Sequence, residues 1–315
     1  MGRLGRMRRL GSIVLLVLAL VFLWRSFVEL GDAITFRESV PGWGAVLLAA
    51  LASAAWLVSM ALGWIWVLRY NTAAGPLPGF PRLFAAFMRS FISRYVPGKV
   101  WPAVVLWERL HDEVGPSPVL RSYLLQQLHL LASAAVLSIG AVPLVLDNAE
   151  AAAPWTGISL ALAFGFGLIW ALVPRPFFTL AHRFAPEKWR DHLAFQGAVA
   201  PWAAGFTIFV AVGLFQGAAV IPIWQSIAGP GQALDPGAMV GVVCAYAAAR
   251  VIGQGVAVVP AGIGVREGVF VLLVSGLSQE IALVSVLWLR LIATIVEFLV
   301  WAASGALVRC RKSGR

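Results

Sequence analysis

An all-α, polytopic helical membrane protein is the fold class the sequence predicts, and three observations carry it. Of 315 residues, 60% are hydrophobic and 12% charged, with fourteen Trp, far more apolar surface than a soluble domain of that length needs. The apolar residues fall in runs of the length that crosses hydrocarbon, about 20 residues each. The Lys and Arg residues gather in the short segments between those runs, where they orient a chain across a membrane. The runs leave no stretch for a second, soluble domain. Residues 1–315 are therefore expected to form one integral domain of about six full spans plus two oppositely oriented re-entrant broken hairpins, or eight tilted spans. A formal charge of +10 would suit nucleic acid, but charges placed in loops and tails argue against that partner. The two cysteines, Cys244 in an apolar helix and Cys310 in a basic tail, indicate neither a disulfide nor a metal site, and no cofactor is implied.

Taken in order, the basic tail Met1–Arg9 precedes an apolar run, Leu10–Trp24, that resembles the core of a signal peptide. No small-x-small cleavage site follows, so an uncleaved first span is expected, ending near Leu30 with its N-terminus in the cytoplasm. Gly31–Trp43 is a weakly acidic outer loop, and Gly44–Leu68 a second span that ends at Arg69 and Tyr70. Residues 80–111 are different. Arg89, Arg94 and Lys99 punctuate them, Val96-Pro97-Gly98-Lys99 breaks them, and each arm is too short to cross alone. They read as a hairpin dipping in from the cytoplasm, with an amphipathic surface helix as the alternative and Glu108–Arg121 as the cytoplasmic return.

A third span is expected over Tyr123–Leu146, a fourth over Trp155–Val173 and a fifth over Ala200–Trp224. Loops without Lys or Arg (147–150, 229–237) alternate with a loop carrying Arg175, Arg183, Lys188 and Arg190, as the positive-inside rule requires. Of the 24 Lys and Arg, only Arg37 falls in an outer loop. The last span, Ile281–Val308, ends in a basic tail, which puts both termini in the cytoplasm.

Residues 238–276 form the second interrupted segment, an apolar helix with Arg250 and Gln254, then Pro260-Ala261-Gly262-Ile263-Gly264-Val265-Arg266-Glu267. A helix that only had to span would not carry these residues, since each raises the cost of burial in hydrocarbon. Paired Gly/Pro-interrupted segments in two halves point to the central site of a transporter, and the charge pattern gives the two hairpins opposite senses. Restarting helices offer free N–H groups, Gly262 and Gly264 allow close backbone approach, and Arg94, Lys99, Arg250 and Arg266 add positive charge. Such a site suits an anion, a phosphate headgroup above all. On the last span, Arg290 stands mid-helix with Glu297 two turns on along the same face. Glu267 with Arg290, or Arg266 with Glu297, could equally be structural ion pairs. Trp101 reads as a packing residue or a flank for a lipid chain, and His129 as an interhelical hydrogen-bond partner.

At Val259-Pro-Ala-Gly-Ile-Gly-Val-Arg266-Glu267-Gly268, preceded by Arg250, and at Tyr95-Val-Pro-Gly-Lys-Val-Trp101, the sequence resembles the lysylphosphatidylglycerol synthase transmembrane-region, or flippase-like, family. The resemblance implies a multi-pass protein of the bacterial cytoplasmic membrane that moves a phospholipid or lipid-linked headgroup between leaflets. Bifunctional members carry a cytosolic aminoacyltransferase domain after the membrane part; this sequence stops at Arg315, so synthase activity is not expected. No Gly-x4-Gly-Lys-Ser/Thr motif is present to supply energy from a nucleotide. The expected partners are a phospholipid or lipid-linked substrate and the membrane, with a second copy or a lipid-modifying enzyme as candidate protein partners. An intramembrane transferase using a lipid-linked donor and an ion-coupled solute carrier are the competing functions.

Overall fold

A computed structural model describes residues 40–71, 76–95, 100–139, 149–172, 179, 183, 198–255 and 264–313. All of its regular elements are helical: α1 (Trp43–Asn71), α2 (Phe80–Ile92) with a 3-10 turn (Ser93–Tyr95), α3 (Trp101–Val114), α4 (Pro116–Ile139), α5 (Ala149–Leu172), α6 (Val199–Ala218), α7 (Val220–Ile227), α8 (Pro236–Gly255), α9 (Val265–Leu273) and α10 (Gln279–Ser313). Among the described residues, five stretches are long and apolar enough to cross a membrane: Trp43–Tyr70, Pro116–Ile139, Val199–Ile227, Pro236–Gly253 and Gln279–Leu307. The protein is thus an all-α, multi-pass membrane protein. The expected first span, Leu10–Leu30, lies outside the described residues, as do Arg175, Lys188 and Arg190.

The spans form where long apolar runs let every backbone N–H and C=O pair within its own helix, the arrangement hydrocarbon demands. Their outer faces stay apolar: Leu47, Leu51 and Leu62 of α1, Leu162, Phe164 and Ile169 of α5 and Leu299 of α10 are all exposed. Inside, tryptophans fill the bundle, and several find partners for their indole N–H groups, although Trp56 Nε1 has none among the described residues. Trp64 donates to Ser122 Oγ at 2.9 Å, Trp66 to the Pro201 carbonyl at 2.8 Å and Trp202 to the Trp170 carbonyl at 2.9 Å. His129 joins α4 to α5 by accepting a 3.4 Å hydrogen bond from Trp170, the interhelical role expected of it. Small residues bring backbones together: a Cβ on Gly217 would stand 2.4 Å from the Val243 carbonyl oxygen, so α6 and α8 meet main chain to main chain.

Residues 80–114 are a hairpin of two short arms. Helices α2 and α3, of 13 and 14 residues, are each too short to cross hydrocarbon. They run antiparallel, with Arg82 paired to Glu113 at 2.7 Å at the open end and Ser90 Oγ donating to the Pro102 carbonyl at 2.7 Å near the turn. Pro102, Leu106 and Leu110 face the core, while Trp101, Val104 and Trp107 are exposed on the other side. The charges at Glu108, Arg109, Asp112 and Glu113 crowd the end of α3 remote from the turn, as in a hairpin whose mouth meets water.

The return from that hairpin differs from the expected loop. Gly115, with φ 96°, closes α3 in a single residue, and Pro116 and Pro118 suit the first turn of the next helix, so α4 starts seven residues before Tyr123. Arg121, expected in the cytoplasm, is consequently buried on α4. The second interrupted segment is asymmetric. Its first arm, α8, is itself long enough to span, whereas α9 has 9 residues. The arms again run antiparallel: a Cβ on Gly253 would lie 3.0 Å from Arg266 Cβ, and the Tyr246 and Phe270 rings meet edge to face at 5.7 Å.

Candidate functional site

The two hairpins converge on one face of α10. Arg290, Thr294 and Glu297 follow a spacing of four and three residues, which stacks them along that face with roughly 10 Å between the end positions. From the second hairpin, Glu267 accepts a short hydrogen bond from Arg290 Nη1, and both residues are buried, at 5% exposure each. Glu267 is fixed from behind as well. Its Oε2 accepts the Gly264 N–H at 2.7 Å, capping the first turn of α9, and Gly264 sits at φ 81° and ψ −45°, a conformation that glycine adopts without a Cβ penalty.

From the first hairpin, Arg94 reaches Glu297 Oε1 at 2.5 Å, and Tyr95 O–H donates to Oε2 at 2.8 Å. Glu297 is 2% exposed. The Tyr95 oxygen also lies 3.4 Å from Thr294 Oγ1, so consecutive residues of the 3-10 turn engage consecutive turns of α10. Hairpin one thus brings a cation to a carboxylate of α10, and hairpin two brings a carboxylate to its cation.

Arg250 and Arg266 complete the cluster. Arg266 Nη1 donates to Tyr246 O–H at 3.2 Å across the two arms of hairpin two. Arg250, 4% exposed, stands over the Trp56 ring with its guanidinium carbon 4.8 Å from the ring centroid, and Arg94 flanks the same indole at 5.8 Å. Aromatic faces stabilise guanidinium by their quadrupole, which is how a cation is tolerated where no carboxylate touches it. Arg250 Nη2 is buried without a hydrogen-bond partner among the described residues. Arg94 and Arg266 both lie close enough to repel Arg250, and Arg266 is also within the field of Arg290. Among the described residues, four guanidiniums therefore share one region with two carboxylates, Arg250 and Arg290 buried and Arg94 and Arg266 part-buried.

The structure brings together Arg94, Arg250, Arg266, Glu267, Arg290 and Glu297, with Gly264 shaping the entry to α9. Of the two pairings the sequence offered, Glu267 with Arg290 is present; Glu297 is held instead by Arg94 and Tyr95 and feels Arg266 through its field. Trp101 begins α3 and is half exposed on the side away from the core. Lys99 and Gly262 lie outside the described residues, and Gln254 is on α8 with its side chain outside them. Sequence reasoning missed Trp56, Tyr95, Tyr246 and Thr294. A signal existed for three: Tyr95 adjoins Arg94, Tyr246 precedes Arg250 by one helical turn, and Thr294 lies between Arg290 and Glu297. No group of three or more His, Cys, Asp or Glu with metal-binding geometry occurs among the described residues.

No family model matches the chain, and no curated protein matches it.

Proposed function

We propose that the chain is a lipid transporter of the flippase type, which takes an anionic headgroup at the arginine cluster while acyl chains stay in the surrounding hydrocarbon. The observation that carries this reading is Arg250, buried in the bundle with a guanidinium nitrogen that has no hydrogen-bond partner among the described residues. Intramembrane ionisable groups are expensive and are retained where they bind or conduct something. Two broken hairpins meeting on one helix are the arrangement from which transporters build a central site. The Pro-Gly-Lys and Pro-x-Gly-x-Gly-x-Arg-Glu segments add their resemblance to the flippase-like family, and with it a place in a bacterial cytoplasmic membrane, both termini inside. A transferase is less well supported, because Glu267 and Glu297, the acids at the cluster, are each engaged by arginine and neither is poised as a general base.

The test is transbilayer movement of labelled phospholipids in reconstituted vesicles. Faster exchange of anionic than of zwitterionic lipid, lost in Arg250→Gln, is the expected result. A new lipid product would indicate a transferase, and movement of solute without lipid an ion-coupled carrier.

A further inference from the structure

We infer that the phosphate of the headgroup is received on the Trp56 side of the cluster, where the indole N–H of Trp56 donates to it beside Arg94 Nε and Arg250 Nη2. This rests on the anionic-headgroup reading above and names the place and the donors of that same site. Three buried donor atoms without a hydrogen-bond partner among the described residues gather at one indole: Trp56 Nε1, Arg94 Nε and Arg250 Nη2. Arg250 Cζ lies 4.8 Å from the Trp56 ring centroid and Arg94 Cζ 5.8 Å, and each unpartnered guanidinium nitrogen is one bond from its Cζ. Aromatic packing holds the group in place. The Arg94 guanidinium rests over the Phe91 ring at 3.9 Å, and Phe91 meets Trp56 edge to face at 5.6 Å. Trp56 and Arg250 are both buried.

A buried donor without an acceptor is costly, and a charged one most of all. The acceptors of the cluster are already engaged. Glu267 takes Arg290 on Oε1 and the Gly264 N–H on Oε2, and Glu297 takes Arg94 Nη2 on Oε1 and Tyr95 O–H on Oε2. A water molecule has two lone pairs, fewer than three donors require. A phosphate has several acceptor oxygens, demands no donor in return, and receives charge-assisted bonds from arginine. The three donors come from α1, the 3-10 turn of hairpin one and α8 of hairpin two, so an oxyanion held among them ties both hairpins to α1. Trp56 is the neutral donor of the three, and its part can be removed without changing the charge of the site.

The same chemistry would accept free phosphate, and the test separates the sources. Wild-type protein with isotope-labelled indole nitrogens, in nonionic detergent, is titrated with phosphatidylglycerol, phosphatidylcholine and inorganic phosphate while the indole N–H resonances are followed. Trp56→Phe and Trp64→Phe assign the signal of Trp56 and that of Trp64, which is bonded to Ser122 and serves as the control. Phosphatidylglycerol should move the Trp56 proton downfield, saturably, and leave the control in place. A tryptophan analogue carrying sulfur for the ring N–H, placed at Trp56, keeps the aromatic face beside Arg250. It should weaken phosphatidylglycerol binding about tenfold, as expected for one hydrogen bond to a charged group.

A Trp56 signal left unmoved by bound phosphatidylglycerol, or wild-type affinity in the analogue, overturns the Trp56 site and leaves the anionic-headgroup reading intact. Phosphatidylglycerol bound no better than phosphatidylcholine overturns both. Inorganic phosphate that moves the Trp56 signal at the same concentration as phosphatidylglycerol overturns the lipid assignment and supports a phosphate-solute site.

Discussion

Glu267 divides its carboxylate between Arg290 on α10 and the backbone N–H of Gly264, so one side chain both caps its own helix and neutralises a cation on the next. The helix α9 cannot shift along α10 without disturbing its own first turn. Local and long-range order are tied at that residue, and the consequences can be separated by substitution.

Glu267→Gln keeps an oxygen for Gly264 but leaves Arg290 without its carboxylate. Breaking a buried pair from one side is expected to cost about 3 kcal/mol. Adding Arg290→Met should recover a large part of that, because no charge is then stranded. Thermal melting of the purified single and double variants in detergent provides the comparison, and a double variant no more stable than Glu267→Gln would place the cost in the cap instead.

Gly264→Ala should lose about 1 to 2 kcal/mol for holding a non-glycine residue at positive φ, although the added methyl meets nothing within 4 Å. Gly268, inside α9 with equally open surroundings and no positive φ, is the control. There alanine should gain about 0.5 to 1 kcal/mol through helix propensity. The sign difference between two neighbouring glycines, read as melting temperatures, isolates backbone strain from crowding.

Gly217→Ala should be worse than either. Its methyl would stand 2.4 Å from the Val243 carbonyl oxygen and 2.8 Å from Val243 Cα, both main-chain atoms that move only if α6 and α8 separate. Overpacking of this kind typically costs about 1 to 3 kcal/mol, and helix separation should also raise the reactivity of buried Cys244 toward a membrane-permeant thiol reagent. Unchanged thiol reactivity together with an unchanged melting temperature would contradict the close crossing.

Tyr95→Phe removes the donor to Glu297 Oε2 while Arg94 keeps Oε1, so a partial loss of about 1.5 kcal/mol is expected, in the range for hydrogen bonds to charged groups. Arg94→Ala should cost more, since it leaves Glu297 without its hydrogen-bonded cation. If the two variants melt alike, the Tyr95 phenol contributes as much as the Arg94 guanidinium to holding the carboxylate.

Much of the fold was legible because hydrocarbon leaves few options. Apolar run length located α1, α6 with α7, and α10, and the Pro/Gly breaks with embedded arginines located the hairpin of α2 and α3. The turn at Gly115 was not legible. Its charged surroundings read as a loop, whereas one positive-φ glycine followed by Pro116 ends one helix and starts the next across a single residue, and Arg121 is buried on the second. For Arg290 the sequence left Glu267 and Glu297 open as partners, and the packing of α9 on α10 selects Glu267. The partner of Glu297 could not be named, because Arg94 lies about 200 positions earlier in sequence and only the packing of α2 on α10 decides that it, not Arg266, reaches the carboxylate. Trp56 gave no signal at all: an indole in a span rich in tryptophan becomes the platform for Arg250 and Arg94 only once α1 meets both hairpins.

The central claim, that the arginine cluster holds an anionic phosphate lipid, is tested most directly by the lipid that copurifies with the protein. Mass spectrometry of lipid extracted from wild-type protein and from Arg250→Gln should find anionic phosphate lipid enriched over its share of the host membrane in the first and reduced to that share in the second. A wild-type lipid profile no different from the membrane's, and unchanged by the substitution, would contradict the account and leave the cluster as scaffold.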